Sequence, residues 1–296
     1  MGKHTDLAIE EQELWKESAR ETTKLSGVEA RETVEQGIKI TCVRILDEEG
    51  SQALHKPVGQ YLTLEITPGH CRQHKEFATA VTILARKLQA MMKLKQEQTV
   101  LVVGLGNLQV TPDAVGPKTL EQLIVTRHLL DGSVEGCRAV SALAPGVLGT
   151  TGLESVEIVK GVVETIKPDC VVAVDALAAR SLDRLCTTVQ LASSGIVPGS
   201  GIGNSRSAFN EETLGVPVYA VGVPTVVEVA TLVEDVLQSH GQEKSQISLK
   251  SEAAHIVVTV TDIDAQVSRI AKVIAYGINL ALQENMSLED IAYFVE

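Results

Sequence analysis

The chain has 296 residues and a formal net charge of −12, and its length suits one large domain. The acidic balance, with no basic stripe, argues against direct binding to nucleic acid, because phosphate contacts need clustered Lys and Arg side chains. Apolar residues make up 44% and aromatic residues only 3%, which is typical of an α/β protein whose buried strands are rich in Val, Leu, Ile and Ala.

The cysteine content and the N-terminal residues indicate in which cellular compartment the protein is located. The five cysteines are an odd number and contain no C-x-x-C pair, so they are expected to be reduced thiols. The N-terminus is polar and lacks the apolar core of a signal peptide, and the longest apolar runs are too short to span a membrane. The sequence predicts a cytoplasmic protein that does not bind membranes.

The first hundred residues contain a strand pair, a helix and the beginning of a buried strand. Residues 38–45 and 61–66 have strand patterns separated by turn-forming residues, which predicts a small N-terminal hairpin. Apolar residues recur at helical spacing over 75–95. Residues 100–103 form an apolar run and predict a strand, and a helix beginning at a proline is predicted over 117–130.

From residue 139 onwards, strand and helix patterns alternate. Strands are predicted at 139–143, 170–174, 218–223 and 256–260, helices at 153–166, 225–237 and 263–282, a glycine-rich loop at 193–207 and a polar surface connection at about 239–252. Alternation with continuous apolar strands predicts an α/β fold with a mostly parallel sheet and helices on both faces.

Two acids stand at the ends of two predicted strands. Asp113 follows the strand at 100–103 after a glycine turn, and Asp175 directly follows the strand at 170–174. Ligands of open α/β sheets bind beyond the carboxyl ends of the strands. Two carboxylates sharing one proton there would act as acid and base on a water that attacks a peptide carbonyl. Each acid would serve equally well as the cap of a following helix, and the spacing leaves both interpretations open.

Two glycine-rich segments invite a ligand-binding interpretation. Gly104 and Gly106 begin a dinucleotide-binding pattern, but Gln109 stands where the third glycine is required, which argues against a nucleotide cofactor. The loop at 195–204 has the composition to cradle a phosphate or oxyanion through backbone N–H groups, or to be an ordinary surface loop.

Metal and covalent chemistry have little support in the sequence. His70 and His74 are four residues apart, but no third ligand accompanies them, and there is no histidine between His128 and His240. No serine or cysteine stands in a nucleophile elbow. The sequence therefore predicts no metal, no cofactor and no covalent intermediate.

Several collinear segments resemble the germination proteases of spore-forming bacteria. They include GLGNLQVTPDAVGP at 104–117, VTRHL at 125–129, APGVLG at 144–149, VDALAARS at 174–181, GIVPGSGIGN at 195–204, TLGVPV at 213–218 and VGVPTVV at 221–227. The N-terminal TDLAIE at 5–10 is similar to the processing segment of that family. The resemblance runs from about residue 5 to 237 and resumes near 258.

The resemblance implies an aspartic-type endopeptidase that degrades small acid-soluble spore proteins during germination, in the spore core. It places the two catalytic aspartates on Asp113 and Asp175 and implies a fold similar to that of hydrogenase maturation proteases. It also implies a zymogen that cleaves its own Asp6–Leu7 bond, which divides the chain into a propeptide at 1–6 and a single peptidase domain at 7–296. A homotetramer is expected. The candidate lining of the substrate cleft comprises Gly106, Asn107, Gly199, Gly201, Gly203 and Asn204.

Two other functions stay open at this point. One is a nickel-assisted maturation peptidase on the same fold, although the histidine that such enzymes carry after the second acid has no counterpart here. The other is a non-catalytic α/β module that binds a small ligand near the glycine loops. Proteolysis of a spore protein, insensitive to chelators, would separate the predicted function from both.

Overall fold

A computed structural model describes residues 5–19, 25–67, 71, 73–129, 136–202, 206–233 and 256–295. The polar connection predicted at 239–252 lies outside these residues. The strands are β1 (Val28–Glu35), β2 (Ile38–Ile45), β3 (Gly59–Glu65), β4 (Val100–Gly104), β5 (Val140–Leu143), β6 (Cys170–Ala179), β7 (Thr188–Ala192), β8 (Val218–Glu228) and β9 (Val257–Val258). The helices are α1 (Ala8–Ala19), α2 (Glu48–Leu54), α3 (His74–Met92), α4 (Val115–Leu120), α5 (Leu148–Thr151), α6 (Ser155–Ile166), α7 (Glu211–Leu214), α8 (Ile263–Leu282) and α9 (Leu288–Val295).

The strands form one nine-stranded sheet in the order β1-β2-β3-β7-β8-β6-β4-β5, with β9 beside β8. β4 pairs in parallel with β5 and with β6, and β6 pairs in parallel with β8. β1, β2, β3 and β7 pair antiparallel with one another, and β7 meets β8 antiparallel. The predicted α/β class is therefore confirmed, and the sheet is mixed. The strands predicted as an N-terminal hairpin, β2 and β3, belong to the same sheet as the buried strands.

Helices cover both faces of the parallel half. Val100 and Val102 of β4 face a core cluster that includes residues of α3 and α8. Leu101 and Val103 face a second cluster that includes residues of α6 and α7. Because successive side chains of a strand point to opposite faces, this two-sided burial explains why β4 is apolar at every position.

The helix predicted at 117–130 is shorter than expected, since α4 spans Val115–Leu120. Beyond α4 the backbone is held by long-range partners. The N–H of Ile124 donates to Oδ1 of Asn279 (2.9 Å), and the N–H of Thr126 donates to the carbonyl oxygen of Val140 (3.0 Å). These tertiary bonds replace the helical ones, so apolar spacing alone predicted the wrong length here.

The helix predicted at 225–237 is wrong over its first residues, because β8 continues to Glu228. There Val227 pairs with Ala179 of β6 on one side and with Val258 of β9 on the other. Residues 229–233 are helical, and the rest of the predicted helix lies outside the described residues. The sequence patterns also missed β1 and β7, whose pairing partners lie in β2, β3 and β8. Across the described ranges, no helix is both long and apolar enough to cross a membrane.

Candidate active site

Asp175 lies inside β6, and the strand does not end before it as the sequence pattern indicated. It stands opposite Gly222 of β8, and the strand continues to Ala179. The interpretation of Asp175 as a helix cap is therefore wrong. Its side chain is only 4% exposed, and Oδ1 accepts a hydrogen bond from the N–H of Ala176 (2.9 Å). Burial raises the pKa of Asp175 well above its usual value, and the charges of Asp113 and Asp6 raise it further.

Asp113 ends a short 3-10 helix, Thr111–Asp113, that follows the glycine turn after β4. The N-cap residue of α4 is Ala114, and no side chain caps that helix, so Asp113 is not a helix cap either. Its Oδ2 accepts a hydrogen bond from the N–H of Asn107 (2.7 Å). Burial raises the pKa of Asp113 to about 6, and the Asn107 N–H partly opposes this increase.

Gly106 makes the position of Asp113 possible. Its φ is +107°, and a Cβ atom at this position would lie 2.0 Å from the carbonyl oxygen of Asp113. A second close approach occurs at Gly116 of α4, where a Cβ atom would lie 2.6 Å from the carbonyl oxygen of Val174. Glycines are thus required for the loop and α4 to pack against the strand ends. This packing brings Asp113 to the edge where Asp175 lies.

The two acids line one cavity of about 440 Å³. Asp6 lines it as well, together with an ion pair between Arg206 Nη1 and Glu154 Oε1 (3.3 Å). The remaining wall is largely apolar and includes Leu105, Val156, Leu177, Phe209 and Val226. Two carboxyl groups in a partly apolar cavity cannot both ionise cheaply. Because the charge of Asp113 raises the pKa of Asp175, the arrangement favours one protonated and one ionised acid, which can serve as general acid and general base.

The other residues predicted for the cleft fall into three groups. Gly106, Asn107 and Gly199 line the cavity. Gly201 packs against Asp6, since a Cβ atom on Gly201 would lie 2.3 Å from Oδ2 of Asp6. Gly203 and Asn204 lie outside the described residues.

The two residues of the predicted self-cleavage bond are held beside the cavity. The N–H of Asp6 donates to the carbonyl oxygen of Ala178 (3.0 Å), and its carboxylate accepts hydrogen bonds from the N–H of Ala178 (2.9 Å) and from the hydroxyl of Ser200. Leu7 is fully buried in an apolar cluster with residues that include Leu177 and Val227. Asp6 is therefore held by hydrogen bonds between β6 and the glycine-rich loop, and Leu7 is held by apolar packing.

Further contacts hold the segment on either side of that bond. Nζ of Lys56 donates to the carbonyl oxygen of Thr5 (3.0 Å). Glu10, in the first turn of α1, is 1% exposed, and its carboxylate accepts from the N–H groups of Arg180 (2.7 Å) and Ser181 (3.1 Å). Nε of Arg184 lies 3.3 Å from Oε1 of Glu10. Burial raises the pKa of Glu10, and these partners oppose the increase.

The sequence patterns did not identify Gln190, Ser200, Lys56 or Arg184 as members of this site. Gln190 carried a usable signal, because it is a polar residue between the apolar residues Val189 and Leu191 of β7. The other three lie in or beside turns, where polar residues are common, so no local pattern distinguishes them. In the described part of the chain, no three His, Cys, Asp or Glu side chains are arranged to hold a metal ion.

A mixed α/β fold with a cavity lined by Asp113, Asp175 and Asp6 provides a site suited to peptide hydrolysis. The germination protease family model matches residues 4–248. The chain is 43% identical to a germination protease of Caldanaerobacter subterraneus subsp. tengcongensis, with 98% of this chain and 97% of the relative covered. It is equally 43% identical to a germination protease of Clostridium perfringens, with 98% of each chain covered. The protein belongs to the germination protease family, and it is a peptidase.

Among solved structures, the chain matches a nickel–iron hydrogenase maturation protease, HycI, from Thermococcus kodakarensis. The two share 18% sequence identity with a TM-score of 0.34, and the match covers 65% of this chain and 98% of the other.

Proposed function

We propose that this protein is an aspartic-type endopeptidase that cleaves its own Asp6–Leu7 bond and then degrades small acid-soluble spore proteins during germination. The observation that carries the proposal is the position of Asp6. Its carboxylate lines the same cavity as Asp113 and Asp175, and the following residue, Leu7, is buried beside that cavity. Membership of the germination protease family supports the same activity.

The two acids take different roles because their surroundings differ. Asp175 is more deeply buried, and burial raises its pKa well above the usual value, so in this mechanism it is the acid that carries the proton. Asp113 ionises near pH 6. In this mechanism ionised Asp113 takes a proton from a water molecule, and protonated Asp175 donates to the substrate. The water attacks the carbonyl carbon directly, without a covalent enzyme intermediate.

The N-terminal segment is a propeptide in this proposal. Residues 1–6 form the part released, and residues 7–296 form the peptidase domain that remains. While the Asp6–Leu7 bond is intact, Asp6 lies in the cavity and blocks it to another peptide. Release of the segment opens the cavity to a spore protein.

The decisive experiment follows the full-length chain by intact mass. Wild type is expected to lose residues 1–6 and to cleave an added small acid-soluble spore protein. Asp113→Asn and Asp175→Asn are each expected to keep the full mass, to leave the spore protein intact and to retain the wild-type circular dichroism spectrum. Full activity of Asp175→Asn would overturn the paired-acid mechanism, and a folded wild type without proteolysis would overturn the function.

A matched control is available on the same strand. Asp169 precedes β6 at its opposite end, and its Oδ2 accepts from the N–H of Thr99 (2.7 Å). Asparagine retains an acceptor oxygen there, so Asp169→Asn is expected to process at the wild-type rate. Addition of a chelator, followed by resupplied nickel, tests the metal-assisted alternative in the same assay.

The resemblance to germination proteases also motivates a homotetramer located in the cytoplasm of the spore core. Sedimentation velocity of the full-length chain tests the assembly, since a tetramer has four times the 31.6 kDa mass of the chain. Immunodetection in fractionated spores tests the location.

A further inference from the structure

Gln190 is a buried polar side chain that contacts the chain on both sides of the Asp6–Leu7 bond. It lies in β7 between Val189 and Leu191 and is 7% exposed. Its Nε2 donates to the carbonyl oxygen of Asp6 (3.1 Å), and its Oε1 accepts from the N–H of Ala8 (2.8 Å). The side-chain amide of Gln190 thus contacts the carbonyl oxygen of the residue before the bond to be cleaved and the N–H of the second residue after it.

The chemistry of the two partners fixes the orientation of this amide. The N–H of Ala8 can only donate, so it requires the carbonyl oxygen of Gln190. The carbonyl oxygen of Asp6 can only accept, so it requires the NH₂ group. Reversing the amide would leave two buried polar groups facing others of the same kind, which is costly. The donor of Gln190 is therefore directed at the oxygen of Asp6.

We propose that Gln190 is a catalytic residue that stabilises the negative charge on the carbonyl oxygen of the bond being hydrolysed. This inference rests on the proposed function, and it applies to the chain's own Asp6–Leu7 bond. Nε2 lies 3.1 Å from the ground-state carbonyl oxygen, so the same donor faces the oxygen on which negative charge develops as water attacks.

The reaction then balances with the two acids, Gln190 and one water molecule. Water bonds to the carbonyl carbon of Asp6 while a carboxylate of the pair takes one of its protons, and the C=O π electrons move to the oxygen that Gln190 holds. On collapse, those electrons re-form C=O and the C–N bond breaks. The leaving nitrogen of Leu7 takes a proton from the acid. The products are a carboxyl group on Asp6 and an amine on Leu7.

The second contact of Gln190 sets where the peptide lies. Oε1 accepts a hydrogen bond from the N–H of Ala8. This hydrogen bond restrains the peptide and keeps the carbonyl oxygen of Asp6 near Nε2. The same contact requires an N–H at the second position after the cleaved bond.

The test compares Gln190→Met with Gln283→Met in the full-length chain. Gln283 is the matched control, since it is also buried and bridges donors and acceptors: Oε1 accepts from the N–H of Arg138 (3.0 Å) and Nε2 donates to the carbonyl oxygen of Arg138 (3.0 Å). Methionine is similar in shape to glutamine and has no amide. The appearance of an N-terminus at Leu7 is timed by intact mass, and the melting temperature is recorded for each variant.

Gln190→Met is expected to slow cleavage by about 100-fold, the typical effect of removing one oxyanion donor, while Gln283→Met cleaves at the wild-type rate below its melting temperature. A rate within twofold of wild type in folded Gln190→Met would overturn the role of Gln190 and leave the proposed function standing. A wild type that never cleaves would overturn both.

Gln190→Glu provides a second test of the donor role of Gln190, for the case in which Gln190→Met does not fold. A glutamate can donate to the Asp6 oxygen only when it is protonated. Its cleavage rate, divided by that of wild type at the same pH, is therefore expected to rise as the pH falls from 8 to 5. A ratio that is independent of pH would overturn a donor role, because a purely structural defect does not titrate in this way.

Discussion

Asp6 and Ala178 are joined by two hydrogen bonds. The N–H of Asp6 donates to the carbonyl oxygen of Ala178 (3.0 Å), and the N–H of Ala178 donates to Oδ2 of Asp6 (2.9 Å). Ala178 lies in β6, the strand that carries Asp175. The N-terminal segment is therefore fixed to the strand that supplies one acid of the cavity.

This attachment predicts that self-cleavage is intramolecular. The rate constant for release of residues 1–6 is expected to be independent of protein concentration over a hundredfold range, because each chain encloses its own Asp6–Leu7 bond. When Asp175→Asn protein is mixed with active wild type, its N-terminus is expected to remain intact. Intact mass of the two chains, distinguished by an isotope label, measures both. Efficient cleavage of the variant by wild type would show that the segment leaves the cavity readily.

The rate of self-cleavage is expected to depend on pH in a bell shape. The rate rises as Asp113 loses its proton, with a midpoint near pH 6, and falls at higher pH as Asp175 loses the proton that it donates. Single-turnover cleavage between pH 4.5 and 9 measures the profile, with circular dichroism at each pH as the control for folding. A flat profile would contradict a mechanism that needs one protonated and one ionised acid.

Removal of the buried acid is expected to increase stability at neutral pH. The folded-state pKa of Asp175 is raised above its unfolded value of 3.8, so its carboxyl favours folding below that value and progressively less as the pH rises towards the folded-state pKa. Asp113→Asn/Asp175→Asn should therefore exceed Asp113→Asn in free energy of unfolding at pH 7.5. Both variants are inactive, so neither loses its segment during the measurement.

Urea unfolding of the two variants at pH 7.5 and at pH 4 tests whether the charge of Asp175 causes the difference in free energy of unfolding. At pH 4 the difference between these two variants should be much smaller, because the carboxyl is then largely protonated in the folded state and half protonated in the unfolded state. An equal difference at both pH values would show that the asparagine acts through packing and that the charge of Asp175 is not the cause.

Gly106→Ala is expected to abolish activity, because its Cβ would lie 2.0 Å from the carbonyl oxygen of Asp113 and must displace the loop that carries the acid. Gly37→Ala is the matched control, since Gly37 also has a positive φ of +89°, but its added Cβ would meet nothing within 4 Å in the described part of the chain. The control carries the backbone penalty of about 1 kcal/mol without the clash. Self-cleavage and melting temperature of both variants are measured. Equal activity of the two variants would show that the contact between the added Cβ and the carbonyl oxygen of Asp113 is not what abolishes cleavage.

Ser200→Ala is expected to slow self-cleavage by about tenfold, because the carboxylate of Asp6 loses a hydroxyl donor and hydrogen bonds to charged groups contribute about 1.5–3 kcal/mol. Ser194→Ala is the control from the preceding turn, where the hydroxyl of Ser194 donates to the oxygen of Tyr61 (2.8 Å) and does not contact Asp6. Timed intact mass again gives the rate. If both variants cleave their own Asp6–Leu7 bond at the same rate, Ser200 does not position the N-terminal segment.

Short-range patterns predicted much of the fold around the acids. The apolar run at 100–103 is part of β4, and the helical spacing of apolar residues over 75–95 corresponds to α3. The same patterns failed where distant residues decide the conformation. Residues after Leu120 leave the helix to bond to Asn279 and Val140, and Thr225 stays in β8 because β6 and β9 flank that strand.

By itself, the sequence determined the α/β class, the two acids at the functional edge and the similarity of the N-terminal segment to a processing site, because these depend on residue type and on spacing along the chain. Only the tertiary structure decided that Asp113 and Asp175 share a cavity with Asp6, and that neither acid caps a helix. It also brought Gln190 to the Asp6–Leu7 bond from 184 residues away. Such contacts arise from the pairing of β7 with β3 and β8, and a partner at that distance leaves no trace in the local pattern.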